Sequence, residues 1–308
     1  MTGPKRIVIA LGGNALMSPG GVQSIKEEQS KLSTVATRIA TMAKEKGMQL
    51  VITHGNGTQV GDELIKNIVA NQKLTPMPLA LMTAETQASI GSIAEMSLNS
   101  KCETSSRKFA TVVTHVVVKK SDKSFNNPTK PIGPAFTAGQ IKAFDVAKKY
   151  HYSKFGNKYR ITVPSPRPVN VVETPIIKRL LNHTNVICCG GGGIPVSVSS
   201  GSYSFEDAVI DKDYTSSLIA REIGANMLVI LTDVDYVYED FPRNKIPIKS
   251  AKASEIMKSI DKFAEGSIGP KIEACAEFAA SGAGIGVIGS LEKLDRVMRL
   301  ESGTVITK

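Results

Sequence analysis

Lysines beside turns are the first residues of this chain that could do chemistry. Lys271 follows Pro270 in the first turn of a predicted helix. A cation there opposes the positive end of the helix dipole, so the placement is unfavourable unless an anion lies nearby. A phosphate held between the lysine and the helix amides would remove the conflict. The residues therefore favour a phosphate-binding role for Lys271 over that of an ordinary surface charge.

Lys212 lies between Asp211 and Asp213 at the start of another predicted helix. Alternating charges of this kind are typical of a solvated turn, because exposed ion pairs are common and contribute only about 0 to 1 kcal/mol each. Phosphoryl transfer would instead use such a lysine to neutralise the oxygens of the moving group. The residues alone favour the solvated turn and leave the catalytic interpretation open.

Three glycine-rich turns each follow a short apolar run. They are Gly12-Gly13-Asn14, Gly55-Asn56-Gly57 and Gly190 to Gly193. A β-branched run that stops at glycines predicts a buried strand whose carboxyl end lets backbone amides approach a ligand. Ligands of open α/β sheets bind beyond those ends, so the turns predict one crevice for phosphate or carboxylate. Asn14 and Asn56 add donors and acceptors for a small, planar, carboxylate-like substrate.

Histidine and cysteine give weaker signals. His54 lies beside the second turn, but a lone histidine at a strand end is more often structural, so we assign it no role. The four cysteines lack CxxC spacing, which argues against a zinc site or a disulfide framework. Cys188 and Cys189 fall in a predicted strand, where alternation would send their side chains to opposite faces. We expect all four to be small buried apolar residues.

The elements that must position these residues alternate between strands and helices, which predicts an α/β fold. Helical spacing of apolar residues from Leu32 to Ala43, ended by Gly47, gives the first βαβ unit. Predicted strands cover 6–11, 49–53, 110–118, 185–189, 226–232, 284–288 and 303–307.

Composition narrows the function classes. The chain has 308 residues, 42% of them hydrophobic, which is enough for a large α/β body or two lobes. No run approaches the roughly 18 apolar residues of a membrane span, so we expect a cytoplasmic protein without a membrane partner. Residues 101–160 hold 13 basic and 3 acidic residues, and the rest of the chain balances. Their aromatics do not match an RNA-binding signature, so we expect no nucleic-acid partner.

Residues 119–162 interrupt the α/β rhythm with prolines, glycines and a polar, lysine-rich tract. We interpret this segment as an inserted lid subdomain, or flap. A second boundary is predicted near Gly224, which divides the chain into an N-terminal lobe, 1–223, and a C-terminal lobe, 224–308.

Seven motifs, taken together, resemble those of the carbamate kinases in the amino acid kinase family. In chain order they are IVIALGGN, ITHGNGTQVG, NPTKPIGP, ICCGGGGIP, AVIDKD, ILTDVDYVY and IGPKIEA. The likeness spans nearly all of the chain. It implies a three-layer α/β/α sandwich around a mainly parallel open sheet, with an inserted flap. It also implies a substrate site in the first lobe and a nucleotide site in the second.

The resemblance implies roles for individual residues. Lys212 would stabilise the transferring phosphoryl group, Lys271 would hold the nucleotide phosphates, and Asp213 would orient both lysines. The substrate would lie against Gly12, Gly13, Asn14, Gly55, Asn56 and Gly57. The adenosine side of the nucleotide pocket would be marked by Asp233, Tyr236 and Val237, although the Tyr236 ring suits a core equally well. Asp211 is a weaker candidate.

Two positions depart from the wider family. Most of its members have a lysine just before the first glycine pair, where this chain has Ala10 and Leu11. In carbamate kinases the flap motif NPTKPIGP supplies a substitute, which would be Lys130 here. The alternative is that Lys130 is an ordinary lysine in a proline-rich loop of the basic flap, without a role in the site. Thr58 replaces a proline that is usual in the family's second glycine loop, which leaves both glycines intact.

By this resemblance we expect a kinase that moves phosphate reversibly between ATP and carbamate, with ATP formation from carbamoyl phosphate and ADP as the useful direction in arginine fermentation. Mg²⁺ would arrive on the nucleotide phosphates, with no dedicated protein ligands. The small-residue helix around Ala84, Ala88 and Gly91 would be either core or a homodimer interface. The alternatives are a kinase for acetylglutamate, aspartate or uridylate, and a non-catalytic sensor of carbamoyl phosphate or nucleotide.

Overall fold

The computed structural model describes residues 5–12, 25–70, 73–102, 107–144, 150–239, 245–263 and 268–308. The strands are β1 Lys5–Leu11, β2 Met48–His54, β3 Phe109–Thr111, β4 His115–Val118, β5 Lys130–Phe136, β6 His151–Phe155, β7 Lys158–Val163, β8 Pro168–Val171, β9 Asn185–Ile187, β10 Ile194–Ser199, β11 Ser202–Phe205, β12 Met227–Thr232, β13 Val237–Glu239, β14 Ile246–Ile248, β15 Ser250–Lys252, β16 Ile285–Ser290 and β17 Thr304–Thr307. The helices are α1 Ile25–Ala43, α2 Gly57–Ala70, α3 Leu79–Lys101, α4 Ala138–Phe144, α5 Thr174–Leu180, α6 Lys212–Glu222, α7 Ala253–Lys258, α8 Ile268–Ala280 and α9 Leu294–Met298.

An eight-stranded sheet forms the centre of the molecule, in the order β15-β17-β16-β12-β1-β2-β9-β3. Its neighbouring strands are parallel except for the antiparallel pair β16 and β17. Ile7 of β1 pairs with Leu50 of β2 on one side and with Met227 of β12 on the other. The carboxyl ends of β1, β2 and β9 therefore reach the same edge of the sheet, which is where the glycine-rich turns begin.

Two separate apolar clusters cover the two faces of this sheet. Ile7 and Ile9 belong to the cluster that includes apolar residues of α1, α3 and α9. Val8 and Ala10 belong to the cluster that includes apolar residues of α5, α6, α7 and α8. Alternate residues of one buried strand thus pack against different helix layers, as the period of a strand requires. The predicted three-layer α/β/α sandwich is confirmed.

The segment predicted as a single strand over 110–118 is divided in the structure. β3 lies at the edge of the main sheet, whereas β4 lies in a four-stranded sheet of order β11-β10-β4-β8. The break falls at Thr114, whose amide and hydroxyl both donate to Gln87 Oε1 at 2.7 Å. The β-branched residues of this segment favour one continuous strand, but the contacts between Thr114 and Gln87 interrupt it.

The flap strands form their own three-stranded sheet, in the order β5-β7-β6. This sheet packs on α2 through two glycines. A Cβ atom added to Gly61 would lie 2.0 Å from the Cα atom of Gly133, which has a φ of 63°. Only hydrogen atoms fit between the two backbones, so the flap approaches α2 more closely than side chains allow.

The four cysteines are buried free thiols, as expected. The prediction that Cys188 and Cys189 point to opposite faces of a strand is wrong. β9 ends at Ile187, and Cys189 takes a left-handed φ of 54°. Both side chains therefore pack in the same apolar cluster.

Among the described residues, none of the helices is both long and apolar enough to cross a membrane.

Candidate active site

Backbone from three strand ends lines one side of the candidate site. Gly12 directly follows β1, and a Cβ atom there would lie 3.1 Å from the Leu231 carbonyl oxygen of β12. Gly13 and Asn14 lie outside the described residues. Gly55 and Asn56 separate β2 from α2, which begins at Gly57. The first amides of that helix lack intrahelical partners, and a Cβ atom at Gly57 would meet nothing within 4 Å. This open helix end suits an anion.

The turn Gly190 to Gly193 packs directly on the second glycine turn. A Cβ atom at Gly191 would lie 2.2 Å from the side-chain nitrogen of Asn56. That nitrogen donates to the Thr86 hydroxyl at 2.9 Å, so the amide group of Asn56 is oriented by α3. Gly191, Gly192 and Gly193 all have positive φ angles, which an L side chain would strain. The glycines are therefore required by close packing and backbone conformation together.

His54 lies beneath this turn with its side chain buried. A Cβ atom at Gly190 would lie 2.4 Å from the imidazole ring. The ring nitrogen Nδ1 lies 3.1 Å from the Gly55 carbonyl oxygen, and Nε2 has no hydrogen-bond partner among the described residues. Burial lowers the pKa of His54 to about 4, and the charge of Lys212 contributes to the lowering. The imidazole is therefore neutral at pH 7 and supports the turn.

A buried carboxylate joins two of the predicted lysines. Asp213 is 3% exposed, and its Oδ2 accepts a hydrogen bond from Lys271 Nζ at 2.9 Å. Its other oxygen, Oδ1, accepts from Lys212 Nζ. The structure thus brings the first turns of α6 and α8 together around one carboxylate. Two ammonium groups held beside each other by one anion present a concentrated positive charge.

The two ammonium groups respond differently to this burial. Burial lowers the pKa of Lys212, and the neighbouring charge of Lys271 lowers it further, against the opposing attraction of Asp213. Burial also disfavours the charge of Lys271, but the charge of Asp213, its hydrogen bond to Lys271 and the charge of Asp211 together outweigh burial and raise the pKa. Lys212 therefore carries the less stabilised charge of the two. An additional anion would relieve its desolvation most.

Hydrogen bonds tie α6 to both the second and the third glycine turns. The Ser216 hydroxyl donates to the Lys212 carbonyl oxygen at 2.6 Å and lies 2.7 Å from the Thr53 hydroxyl at the end of β2. The Thr215 hydroxyl donates to the Gly192 carbonyl oxygen at 2.9 Å. The lysine pair and the glycine turns therefore belong to a single site.

The flap contributes the third lysine to the same place. Lys130 Nζ donates to Asp211 Oδ2 at 2.8 Å, and Asp211 Oδ1 accepts from the Asp213 amide at 2.9 Å. Asp211 is thus the N-cap of α6. Burial would raise the pKa of Asp211, but the charge of Lys130 and the hydrogen bonds outweigh it and lower the pKa below its ordinary range. The structure thus pairs all three lysines with two acids, Asp211 and Asp213, at the start of one helix.

The residues predicted for the adenosine side lie after β12. Asp233 is exposed and Tyr236 is half-buried, whereas the Val237 side chain packs in the core and its amide donates to the Thr304 hydroxyl at 2.9 Å. Asp235, between them, pairs with Lys293 at 2.6 Å. Tyr236 and Tyr238 meet edge to face, with ring centroids 6.4 Å apart.

Several residues of the site were missed by sequence reasoning. Thr53, Ser216 and Thr215 connect α6 to the turns. Asp211 was only a weaker candidate, and its two roles, as the partner of Lys130 and as the cap of the helix, were not predicted. Only Asp211 carried a signal, because an acid one residue before a predicted helix is a common N-cap. The others are ordinary hydroxyl residues whose partners are distant in sequence.

The described residues contain no group of three or more histidine, cysteine, aspartate or glutamate side chains placed to hold a metal ion. The two acids of the lysine site are each already paired with ammonium groups. This donor set fits a cation that arrives with anionic ligands of its own.

Comparison with known proteins gives a consistent result. The model of the amino acid kinase family matches residues 5–289. A carbamate kinase of Oenococcus oeni is 38% identical over 314 aligned residues, which cover 99% of each chain. The solved carbamate kinase of Giardia lamblia bound to AMP-PNP superposes with a TM-score of 0.89 at 34% identity and covers 100% of both chains. The same Giardia protein bound to citric acid gives a TM-score of 0.92 with equal coverage.

Proposed function

The chain belongs to the amino acid kinase family, and from that premise we propose that it transfers a phosphoryl group reversibly between ATP and carbamate. It is a phosphotransferase, as its full-length relatives are carbamate kinases. One observation carries the mechanism: Asp213 holds the ammonium groups of Lys212 and Lys271 together, beside the glycine turns at the strand ends.

The reaction needs positioning and charge more than covalent work by the protein. In the ATP-forming direction a terminal oxygen of ADP forms a bond to the phosphorus of carbamoyl phosphate. The bond from phosphorus to the carbamate oxygen breaks, and carbamate leaves as an anion with the electron pair. Lys212 faces the transferring group and neutralises its oxygens, and Lys130 approaches it from the flap. Lys271 holds the nucleotide phosphates, and Asp213 fixes the direction of both buried ammonium groups.

The substrate half of the site is formed by neutral groups. Amides at Gly12, at Gly55 and at the start of α2 would hold the carbamate, with the Asn56 amide group oriented by Thr86. Gly13 and Asn14 complete this set in our proposal. The neutral imidazole of His54 adds no competing charge. The arrangement suits a small, planar anion whose charge increases as the phosphoryl group departs.

The nucleotide half rests on Lys271, with Asp233, Tyr236 and Val237 proposed for the adenosine side. The AMP-PNP complex of the Giardia relative supports an adenine nucleotide as the second substrate. Mg²⁺ would be carried by the nucleotide phosphates and would supply positive charge there, because both site acids are occupied by lysines. We place the reaction in arginine breakdown in the cytoplasm, with ATP formation as its useful direction.

A homodimer is the assembly that we propose. On α3 the Ala84 side chain is half-buried and the Ala88 side chain is exposed. Gly91 packs inside the subunit, because a Cβ atom added there would lie 2.5 Å from the Thr111 side chain. Exposed Met96 and Val113 extend the open face of α3 toward the edge strand β3. Sedimentation velocity tests this assembly, and a monomer at micromolar concentration would exclude it.

A coupled assay of ATP formation from carbamoyl phosphate, ADP and Mg²⁺ tests the proposed function. The expected result is ATP formation that depends on both substrates. Assays with ATP and acetylglutamate, aspartate or uridylate test the other kinases of this fold, and carbamoyl phosphate binding without turnover would indicate a sensor. Activity with one of those acids and none with carbamoyl phosphate would overturn the proposal.

A further inference from the structure

A surface cluster joins the root of the flap to the two helices that carry the buried lysines. Arg167 lies between β7 of the flap and β8. Its guanidinium carbon lies 3.6 Å from the ring centroid of Tyr214, a geometry typical of a cation–π contact. The same guanidinium pairs with Glu273, and with Glu277 at 3.2 Å. We call Arg167, Tyr214, Glu273 and Glu277 the arginine clamp.

The clamp bridges the helix starts of the site. Tyr214 follows Asp213 directly on α6, and Glu273 lies two residues after Lys271 on α8. The Tyr214 hydroxyl donates to Glu273 Oε2 at 2.5 Å, and burial together with this carboxylate raises the pKa of the phenol, which keeps it protonated as the donor. The helices that meet inside the site at Asp213 are thus joined a second time at its outer side.

Backbone groups at and just before Arg167 hold the two chain connections of the flap. The Arg167 amide donates to Asp122 Oδ2 at 3.0 Å, and Asp122 lies on the connection that leads into β5. Burial would raise the pKa of Asp122, but the amides of Ser124 and Arg167 outweigh it and lower the pKa, so the carboxylate stays charged as their acceptor. Three residues before Arg167, the Pro164 carbonyl oxygen accepts from the Val209 amide at 2.9 Å. The entrance and the exit of the flap therefore meet at the clamp.

Lys130 is the first residue of β5 and must meet Lys212 and Lys271 at a single phosphoryl group. Its position relative to them depends on how the flap is held against α6 and α8. We propose that Arg167 is a positioning residue that fixes the flap on the starts of α6 and α8, and thereby places Lys130 opposite the two buried lysines. This inference rests on the proposed function for its kinetic consequence, but not for its structural one.

The kinetic test compares Arg167→Ala with Arg299→Ala in the ATP-forming assay. Arg299 pairs with Glu301 at 3.0 Å on the surface and takes no part in the clamp, which makes it a matched control. Misplacement of one phosphoryl-binding charge acts on the transition state more than on binding. We expect Arg167→Ala to lower kcat by roughly tenfold with less than about a twofold change in KM, while Arg299→Ala changes neither.

Two conservative variants separate positioning from surface charge. Arg167→Lys keeps the charge but loses the planar fork and the stack on Tyr214, so we expect a kcat between those of wild type and Arg167→Ala. Tyr214→Phe keeps the ring and loses only the hydroxyl bond, so its loss should be about two- to threefold. Full recovery of kcat by Arg167→Lys would show that charge alone matters and would overturn the proposal.

Amide hydrogen exchange of the full chain tests the structural part without any assay of turnover. We expect Arg167→Ala to accelerate exchange in β5, β6 and β7 at least about fivefold, with β1 and β12 unchanged. Flap exchange no faster than in Arg299→Ala, or faster exchange with an unchanged kcat, would each overturn the proposal. Should wild type form no ATP from carbamoyl phosphate, the proposed function fails, and the exchange result still decides whether Arg167 holds the flap.

Discussion

The three lysines of the site are held in two different ways. Lys212 and Lys271 belong to helix starts in the body of the protein, and their side chains are each 10% exposed on a shared carboxylate. Lys130 belongs to the flap, is 21% exposed, and reaches Asp211 across the contact between flap and body. The body therefore fixes two charges permanently, whereas the third depends on where the flap lies.

Because of this difference, substitutions in the body and in the flap should have different effects on stability and on the rate of turnover. Removing one partner from a buried ion pair leaves an uncompensated charge, so changes in the body should affect folding as well as rate. The Lys130 pair is more exposed than the pairs of Asp213 and is held by a separate sheet, so its loss should affect stability less than changes in the body do. The predictions below test this division, from the largest expected effect to the smallest.

Replacing Lys212 should have the largest effect. Lys212→Met keeps the length of the side chain and removes the charge that we propose for the transferring group. We expect kcat to fall about 10³-fold, or about 4 kcal/mol, with a smaller change in KM. Steady-state kinetics measure this, with the exposed Lys252→Met as the control. Near-equal kcat in Lys212→Met and wild type would exclude the assigned role.

Replacing Asp213 should reduce stability more than any change in the flap. Asp213→Asn leaves two adjacent ammonium groups without their anion, and we expect the free energy of unfolding to fall by about 3 kcal/mol. Urea denaturation measures this loss. Asp235→Asn breaks the more exposed pair with Lys293 and should cost less than about 1 kcal/mol. Equal losses in the two variants would contradict the distinction between the buried and the exposed pair.

Replacing Lys130 should separate rate from stability. We expect Lys130→Met to lower kcat about 10²-fold, or about 2.7 kcal/mol. The free energy of unfolding should fall by only about 1 to 2 kcal/mol, because Asp211 keeps its hydrogen bond from the Asp213 amide. Lys154→Met, on another strand of the flap, is the matched control. A loss of stability as large as that of Asp213→Asn would show that Lys130 is held as firmly as Lys212 and Lys271, and would contradict the proposed difference between flap and body.

His54, in the body of the protein, should make the free energy of unfolding depend on pH. Its pKa in the folded protein, about 4, lies below the ordinary 6.5, so the unfolded chain takes up the proton first as the pH falls. Stability is therefore lost between about pH 6.5 and 4, by about 2 kcal/mol between pH 7 and pH 5. Urea denaturation of wild type and His54→Asn at both values isolates this contribution. Parallel losses in the two proteins would show that His54 is not the cause.

Sequence reasoning predicted the parts of the site that depend on local structure. The glycine turns were visible because each follows an apolar run, and Lys271 because a cation in a first turn needs a nearby anion. Lys212 was ambiguous, since alternating charges describe a solvated turn equally well, and the resemblance to a known family was needed to assign it. Lys130 was assigned by that resemblance alone, because nothing in a proline-rich loop indicates which body residue it meets.

The remaining features depend on contacts between distant parts of the chain. Thr53 and Ser216 meet although they are 163 positions apart in the sequence, and their types carry no signal of the pairing. The prediction of one strand over 110–118 was wrong for the same reason, because the contact between Gln87 and Thr114 divides that segment into two strands. Periodicity reports which face of an element is buried, but it does not report which hydroxyl or amide group lies opposite. The division of the chain into lobes at residue 224 stays a prediction.

The contact between Gly61 and Gly133 limits how the sequence of this protein can vary. A methyl group at position 61 would overlap the backbone at position 133, and the flap would have to move away from α2 to admit it. Lys130 lies three residues before that contact on the same strand. A substitution as small as alanine at position 61 would therefore displace the strand that carries Lys130 through geometry alone. Descendants of this gene should keep both glycines for as long as selection maintains the activity.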